Sequence, residues 1–232
     1  MKTVLTHHSI TSSCLEKNFT YQILSPKEKL SSGVRLMIVH DGDDYLEIGH
    51  LREQFELDLR EGLGTDVCFI LLPPGSSEDR WNLYYSEGRN YQAYKRFIYH
   101  ELLPELKRRF SSILQIGMMG DSLAGAVSLR IALDKPSEWT HLILQSPAFS
   151  EEDVKEVQHA NLALPWEVYQ SVGTKEEAFR SPITGECLYI LTRNRRVHRA
   201  FTTKRLIYHE FDHDHLWECW RENLSSAIKI FY

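Results

Sequence analysis

Apolar runs and helical stripes alternate along the chain. Val34–His40 (VRLMIVH) is almost continuously apolar and ends in Asp41-Gly42-Asp43-Asp44, so it reads as a buried strand that opens into a turn. Ile48, Leu51, Phe55 and Leu59 then recur at helical spacing as far as Gly62. Val67–Leu72 follows as a second buried strand, closed by Pro73-Pro74. Polar residues dominate 75–90, where a loop is expected. A long helix is expected over 91–109, with Phe97, Leu102, Leu103 and Leu106 on its buried face. The rhythm continues with a strand at 113–119, a helix at 123–133 stopped by Pro136, and a strand at His141–Gln145. Strands at 166–172 and 205–211 and helices within 188–201 and 216–232 complete it. Two early segments, 3–9 and 19–24, suit an antiparallel edge hairpin.

Strands separated by helices of this length require crossover connections. The expected fold is therefore α/β, a mostly parallel central sheet of about eight strands with helices on both faces. Ligands on such sheets gather beyond the carboxyl ends of the strands, so the chemistry should lie immediately after each strand. No repeat, low-complexity tract or long linker interrupts the 232 residues, and a single domain over 1–232 is expected. The elements consume nearly all of the chain. Only the 75–90 loop and the segment after Pro147 are left to cover a site, which predicts an accessible pocket without a separate cap domain.

Charge and cysteine usage narrow the field. With 27 Lys and Arg against 32 Asp and Glu, the net charge of −5 provides no broad positive field for a phosphate backbone. No stretch approaches the ~18 apolar residues of a membrane span, and MKTVLTHHSITSSCLEK lacks the apolar region of a signal peptide. The expected location is cytoplasmic. Cys14, Cys68, Cys187 and Cys219 are scattered without a Cys-x-x-Cys pair, which suits buried apolar residues better than disulfides or a zinc cluster. Arg193, Arg195, Arg196, His198 and Arg199 form a positive block on the penultimate helix. It reads as a solvated face, with attraction of an anionic substrate as the functional alternative. Tyr84, Tyr85, Tyr91 and Tyr94 suit packing under a loop better than an acyl pocket.

The position with most chemical content is ILQIGMMGDSLAGAV, where an apolar strand passes through Gly120-Asp121-Ser122-Leu123 into a helix of small residues. A nucleophile elbow has this form: its Ser sits on a sharp turn, and the residues two before and two after must be small. Ala124 departs from strict Gly-x-Ser-x-Gly by one methyl group. The alternative is that Ser122 merely caps the following helix. A serine nucleophile needs an acid and a His later in the chain. Gly173-Thr174-Lys175-Glu176-Glu177 offers a carboxylate beyond one strand, and Asp212-His213-Asp214-His215 offers a base beyond another. The oxyanion hole would use the Leu123 backbone N–H and a second from the Asp41-Gly42-Asp43 turn, the Asp43 amide. A rival lies in the same tail, since His209-Glu210-Phe211-Asp212-His213 satisfies His-Glu-x-x-His, the pattern of a zinc metallopeptidase. That pattern requires a helix, whereas RLIYHEF has strand composition. A weaker metal pair is His213 with His215.

Together VHDGDDYL, FIYHELLPEL, GDSLAG, QSPAF, YQSVGTKEE and HLWECW resemble the Putative esterase family, the esterase-D-like and enterochelin-esterase-like branch of the α/β hydrolases, from about Val34 onward. The resemblance implies an α/β-hydrolase fold and a Ser-Glu-His triad of Ser122, Glu176 and His215, with Glu177 and His213 as fallbacks. It also implies oxyanion donors at Asp43 and Leu123, and a serine esterase that acts on carboxylic esters without a cofactor or metal. Siderophore lactones, S-formylglutathione, sugar esters and simple acyl esters are the substrates it offers. An acyltransferase or a siderophore-ester hydrolase of the same fold is the alternative. The expected partner is a small-molecule ester, with no nucleic acid and no membrane insertion, and a homodimer stays open.

Overall fold

A computed structural model describes residues 2–28, 33–160, 163–181 and 185–232. They fall into two compact units, one running to Gly117 and including Phe231–Tyr232, the other comprising Met118–Ile230.

In the first unit, β1 (Val4–Ser12) and β2 (Lys17–Ser25) form an antiparallel hairpin in register from Val4↔Ser25 to Ser12↔Lys17. Both strands outrun the expected segments, because the ladder continues to a turn closed by Glu16 in the left-handed region (φ 52°). β2 pairs antiparallel with β4 (Val67–Leu72), which lies parallel to β3 (Val34–His40). All residues of β4 are buried, as an uninterrupted apolar run requires.

The helical stripe expected from Ile48 to Leu59 is two helices, α1 (Gly42–Glu47) and α2 (Leu51–Arg60). The chain breaks at His50, whose φ is 55°, and Ile48 is left 40% exposed. The 75–90 stretch is not all loop. It contains α3 (Ser77–Tyr84), whose start is fixed by a reciprocal capping box between Ser76 and Asp79. The single helix expected over 91–109 divides into α4 (Tyr91–Phe97), a π-helical turn (Ile98–Leu102) and α5 (Leu103–Arg109). The cause is Pro104, which has no N–H and whose ring crowds the carbonyl four residues back; the Leu103 N–H accordingly reaches to Ile98. The four residues expected on the buried face are all buried, as are Tyr84, Tyr91 and Tyr94.

β5 (Ile113–Asp121) leads into the second unit, which opens with α6 (Ser122–Asp134) and β6 (His141–Gln145). The segment after Pro147 contains α7 (Glu151–His159), started by a second capping box between Ser150 and Asp153. There follow β7 (Leu164–Gly173), a two-residue hairpin of β8 (Phe179–Arg180) and β9 (Cys187–Leu188), α8 (Ile190–Ala200), β10 (Thr203–Phe211) and α9 (Trp217–Ile228). β7 is parallel to both β6 and β10. The strand order is β1-β2-β4-β3-β5-β6-β7-β10, a mostly parallel arrangement of eight strands. Among the described residues no helix is long and apolar enough to cross a membrane.

Two polar contacts inside these units yield predictions. The buried Arg130 of α6 makes a fork–fork pair with the buried Asp153 of α7, Nη2 to Oδ2 being 2.6 Å. Asp153→Ala takes the paired carboxylate from the buried guanidinium and the capping carboxylate from α7, and is expected to cost about 3–5 kcal/mol in a urea titration. In the first unit, Glu101 Oε1 accepts from the Ser13 N–H (2.9 Å), the Ser13 hydroxyl (2.7 Å) and the Cys14 N–H (3.0 Å), which fastens the hairpin turn. Burial alone would push the Glu101 carboxyl up, but the Ser12 and Ser13 hydroxyls and the Cys14 amide outweigh it and hold it at about 2. A carboxyl lowered on folding stabilises fully above its ordinary value, and that stability is lost as pH falls through the folded value. Amide protection at Ser13 and Cys14 is therefore expected to hold down to about pH 4.5 and to decline from there to about pH 2. In Glu101→Ala it should be low throughout, measured by hydrogen exchange relative to intrinsic rates.

Candidate active site

The second unit brings three of the sequence candidates together. Ser122 stands at the junction of β5 and α6 with φ 47°, a left-handed conformation that a non-glycine residue seldom adopts. Its hydroxyl does not cap the helix. The N-cap position belongs to Asp121, and the Ser122 Oγ instead lies 2.8 Å from His215 Nε2. The turn is tight for a specific reason: a Cβ built on Gly120 would stand 2.5 Å from the Ala124 carbonyl carbon. Ala124 itself fits without exposure, so the departure from Gly-x-Ser-x-Gly falls where a methyl is accommodated. Gly125 takes the next close approach, its absent Cβ falling 3.0 Å from the Gly120 carbonyl oxygen and from Pro147.

Acid and base arise at adjacent strand ends. The parallel register of β7 and β10 ends on Gly173↔Phe211, so the loops that follow start side by side. They are tied by backbone bonds from Thr174 N–H to Phe211 O (2.7 Å) and from Lys175 N–H to His213 O (3.2 Å). Glu176 is buried, and its Oε2 lies 2.6 Å from His215 Nδ1. Its Oε1 accepts from the Gly173 N–H and from the Ser146 hydroxyl, each at 2.7 Å. A side chain at Gly173 would collide with Glu176 Oε1 and the His213 carbonyl, so that glycine leaves room for the carboxylate. The neighbouring Glu177 is turned elsewhere, binding the Thr192 N–H and hydroxyl. His213 faces Glu222 at 3.3 Å.

The His215 side chain is only 7% exposed. Phe179 tilts against its ring at 4.4 Å and Trp220 meets it edge-on at 5.0 Å. The Trp220 carbonyl is held in turn by the buried Gln145 side chain at 2.8 Å. Burial, and then the charge of Glu176, push the Cys219 thiol up to about 11, so it stays protonated at neutral pH and contributes no thiolate. Burial pushes Cys68 to about 12. All four cysteines are free, Cys68 and Cys219 buried and Cys14 and Cys187 half-buried.

The two expected oxyanion donors lie in different units. Leu123 is in the first turn of α6, and Asp43 is in the first turn of α1, where backbone N–H groups have no intrahelical acceptor. Asp41, just before, is buried and left-handed (φ 56°), and Arg80 holds its carboxylate at 2.6 Å. Gly42 packs so closely that a Cβ would stand 2.7 Å from Leu71 Cα.

Three of the four arginines in the positive block on α8 are paired, through two carboxylates. Arg193 and Arg196 both bind Glu151, and Arg195 pairs twice with Glu210. Arg196, first by its hydrogen bonds, holds the Glu151 carboxyl below its ordinary value. His209 and Glu210 lie in β10, where alternate side chains take opposite faces, so the spacing of His-Glu-x-x-His does not create a helical pair. Among the described residues no cluster of three His, Cys, Asp or Glu side chains could hold a metal ion. Ser146, which enters the sequence reading only inside the QSPAF segment and without a role, makes a contact with Glu176 that the motifs did not assign.

The close approach at residue 120 gives a prediction. Gly120→Ala drives a methyl into the backbone of α6 and is expected to cost about 1–3 kcal/mol or more. Ala124→Gly, which removes one, should cost only about 1 kcal/mol. Parallel urea titrations compare the two, and the reverse order would contradict the packing.

A family model described as Putative esterase matches residues 12–231. The chain is 32% identical over 200 residues to "Uncharacterized protein YjcH" of Bacillus subtilis (strain 168), a match covering 84% of this chain and 82% of that protein. In structure it is similar to a ferulic acid esterase, with a TM-score of 0.75 at 13% identity, over 99% of this chain and 98% of the other. It is likewise similar to a ferric enterobactin esterase from Salmonella typhimurium, with a TM-score of 0.81 at 15% identity. That match covers 98% of this chain and 58% of the longer protein. Identities this low speak to fold alone, and the fold is that of the α/β hydrolases.

Proposed function

The chain belongs to the Putative esterase family and is a carboxylic ester hydrolase, and from that premise we propose that it works as a serine esterase, through an acyl-enzyme formed on Ser122. The supporting observation is the unbroken line from Ser122 Oγ to His215 Nε2 (2.8 Å) and from His215 Nδ1 to Glu176 Oε2 (2.6 Å). In this reading His215 removes the hydroxyl proton as Ser122 Oγ bonds to the ester carbonyl carbon. The C–O bond to the alcohol then breaks and His215 returns the proton to the departing oxygen. Water repeats the sequence, giving the carboxylic acid and free Ser122. Glu176 accepts from Nδ1–H and stabilises the imidazolium formed in each half. The oxyanion is assigned to the Leu123 amide and, by family resemblance, to the Asp43 amide.

Residues 1–232 are read as one esterase domain acting on small-molecule esters without a cofactor. The free cysteines support a reducing compartment, the cytoplasm. The name of one structural relative, a ferric enterobactin esterase, supports testing siderophore esters beside simple acyl esters. Addition of alcohols to the assay separates hydrolysis from acyl transfer by the product formed.

A fluorophosphonate probe is expected to label the protein at Ser122. Ser122→Ala should abolish that labelling and lower kcat on p-nitrophenyl esters by on the order of 10⁶. Undiminished turnover in Ser122→Ala would remove the nucleophile assignment.

A further inference from the structure

Directly after β6 the chain makes a second left-handed turn at a non-glycine residue, Ser146, with φ 44°. The residue is 1% exposed, and its N–H donates to Ser171 O at 2.7 Å, so its backbone is fixed by the β7 strand beside it. Its hydroxyl donates to Glu176 Oε1 at 2.7 Å. Two residues later the Ala148 N–H donates to Ser122 O at 2.8 Å. Between them, Pro147 O accepts from the side-chain amide of Asn194 (2.8 Å), a fully buried residue of α8 that is itself held by Gln170 at 2.8 Å. A three-residue loop thus grips the acid through one end and the carbonyl of the elbow serine through the other.

We propose that Ser146 is a positioning residue of the esterase site, its hydroxyl fixing the plane of the Glu176 carboxylate so that Oε2 stays on His215 while the loop it begins holds the Ser122 backbone. The inference rests on the reading of Ser122, His215 and Glu176 given above. Its physical basis is the softness of the carboxylate torsion, which has broad wells rather than sharp staggered ones. Two donors on Oε1, Ser146 and the Gly173 N–H, define a plane that one donor leaves free to pivot.

The test compares Ser146→Ala with Ser146→Gly. Both lack the hydroxyl, but glycine accepts a positive φ freely and alanine does not, so the pair separates hydroxyl from backbone conformation. Each variant is expected to lose about 10- to 100-fold in kcat, the scale of one hydrogen bond to a charged group, with KM little changed. The loss in kcat should be alike in the two variants despite their different backbone strain. A Ser146→Gly enzyme with parental kcat overturns the assignment, as does a loss confined to KM or one seen in Ser146→Ala alone. Fluorophosphonate labelling of the parent keeps the two levels apart. A parent that labels at Ser122 and turns over esters, beside variants with parental kinetics, overturns the Ser146 inference alone. A parent that does neither overturns the functional reading and this inference with it.

Discussion

A carboxylate with no exposed surface must find donors for both oxygens, because an ion removed from water without partners is far more costly than any packing gain around it. Glu176 meets this requirement through Ser146, Gly173 and His215, which follow or end β6, β7 and β10 respectively. Three strand ends are therefore constrained by one side chain. The parallel registers of β6 with β7 and of β7 with β10 are what put those ends within reach, and a one-residue slip in either would move every donor to the wrong face.

Local strain and local hydrogen bonding are balanced at the same place. Ser122 and Ser146 both adopt left-handed φ without being glycine, a conformation that costs on the order of 1–3 kcal/mol each. Neither is held by its neighbours in sequence alone. The Ser122 carbonyl receives the Ala148 N–H from the loop that Ser146 opens, and Ser146 is held in turn by the Ser171 carbonyl and by Glu176. The buried Asn194 of α8 and Gln170 of β7 support that loop, which is why polar side chains occupy positions where apolar ones would pack more simply.

Much of this was legible before the structure. The strand–helix alternation fixes an α/β sheet because each apolar run is long enough to be buried and each gap is long enough for a crossover. What the pattern hid has particular causes. Helix α3 lies in a polar stretch whose apolar periodicity is weak and α7 rests on just two buried valines, Val154 and Val157, yet both announce themselves by Ser-x-x-Asp, at Ser76–Asp79 and Ser150–Asp153, a capping signal independent of hydrophobicity. The π turn follows from Pro104 inside a helix pattern. The choice between Glu176 and Glu177 was not legible, since adjacent carboxylates have the same chemistry and differ only in which one the Gly173 turn buries. The arginine block of α8 reads as a positive field only while Glu151 and Glu210, distant in sequence, are out of view. Ser146 lies within QSPAF, yet that segment does not reveal its bond to Glu176, which depends on a backbone angle and on a partner thirty residues away.

The surroundings of His215 complete the logic of the site. Phe179 and Trp220 close on its ring, so the imidazole has two polar neighbours and little solvent. An ionised carboxylate can only accept, which requires the proton on Nδ1 when Glu176 is charged. A neutral imidazole in that tautomer presents a lone pair at Nε2, the atom 2.8 Å from Ser122 Oγ. In the proposed mechanism the direction of proton transfer is thus set by the acid rather than by the histidine. The acid in turn is oriented by the loop beyond β6, which makes the geometry of a serine turn in one strand end answerable to a serine turn in the next.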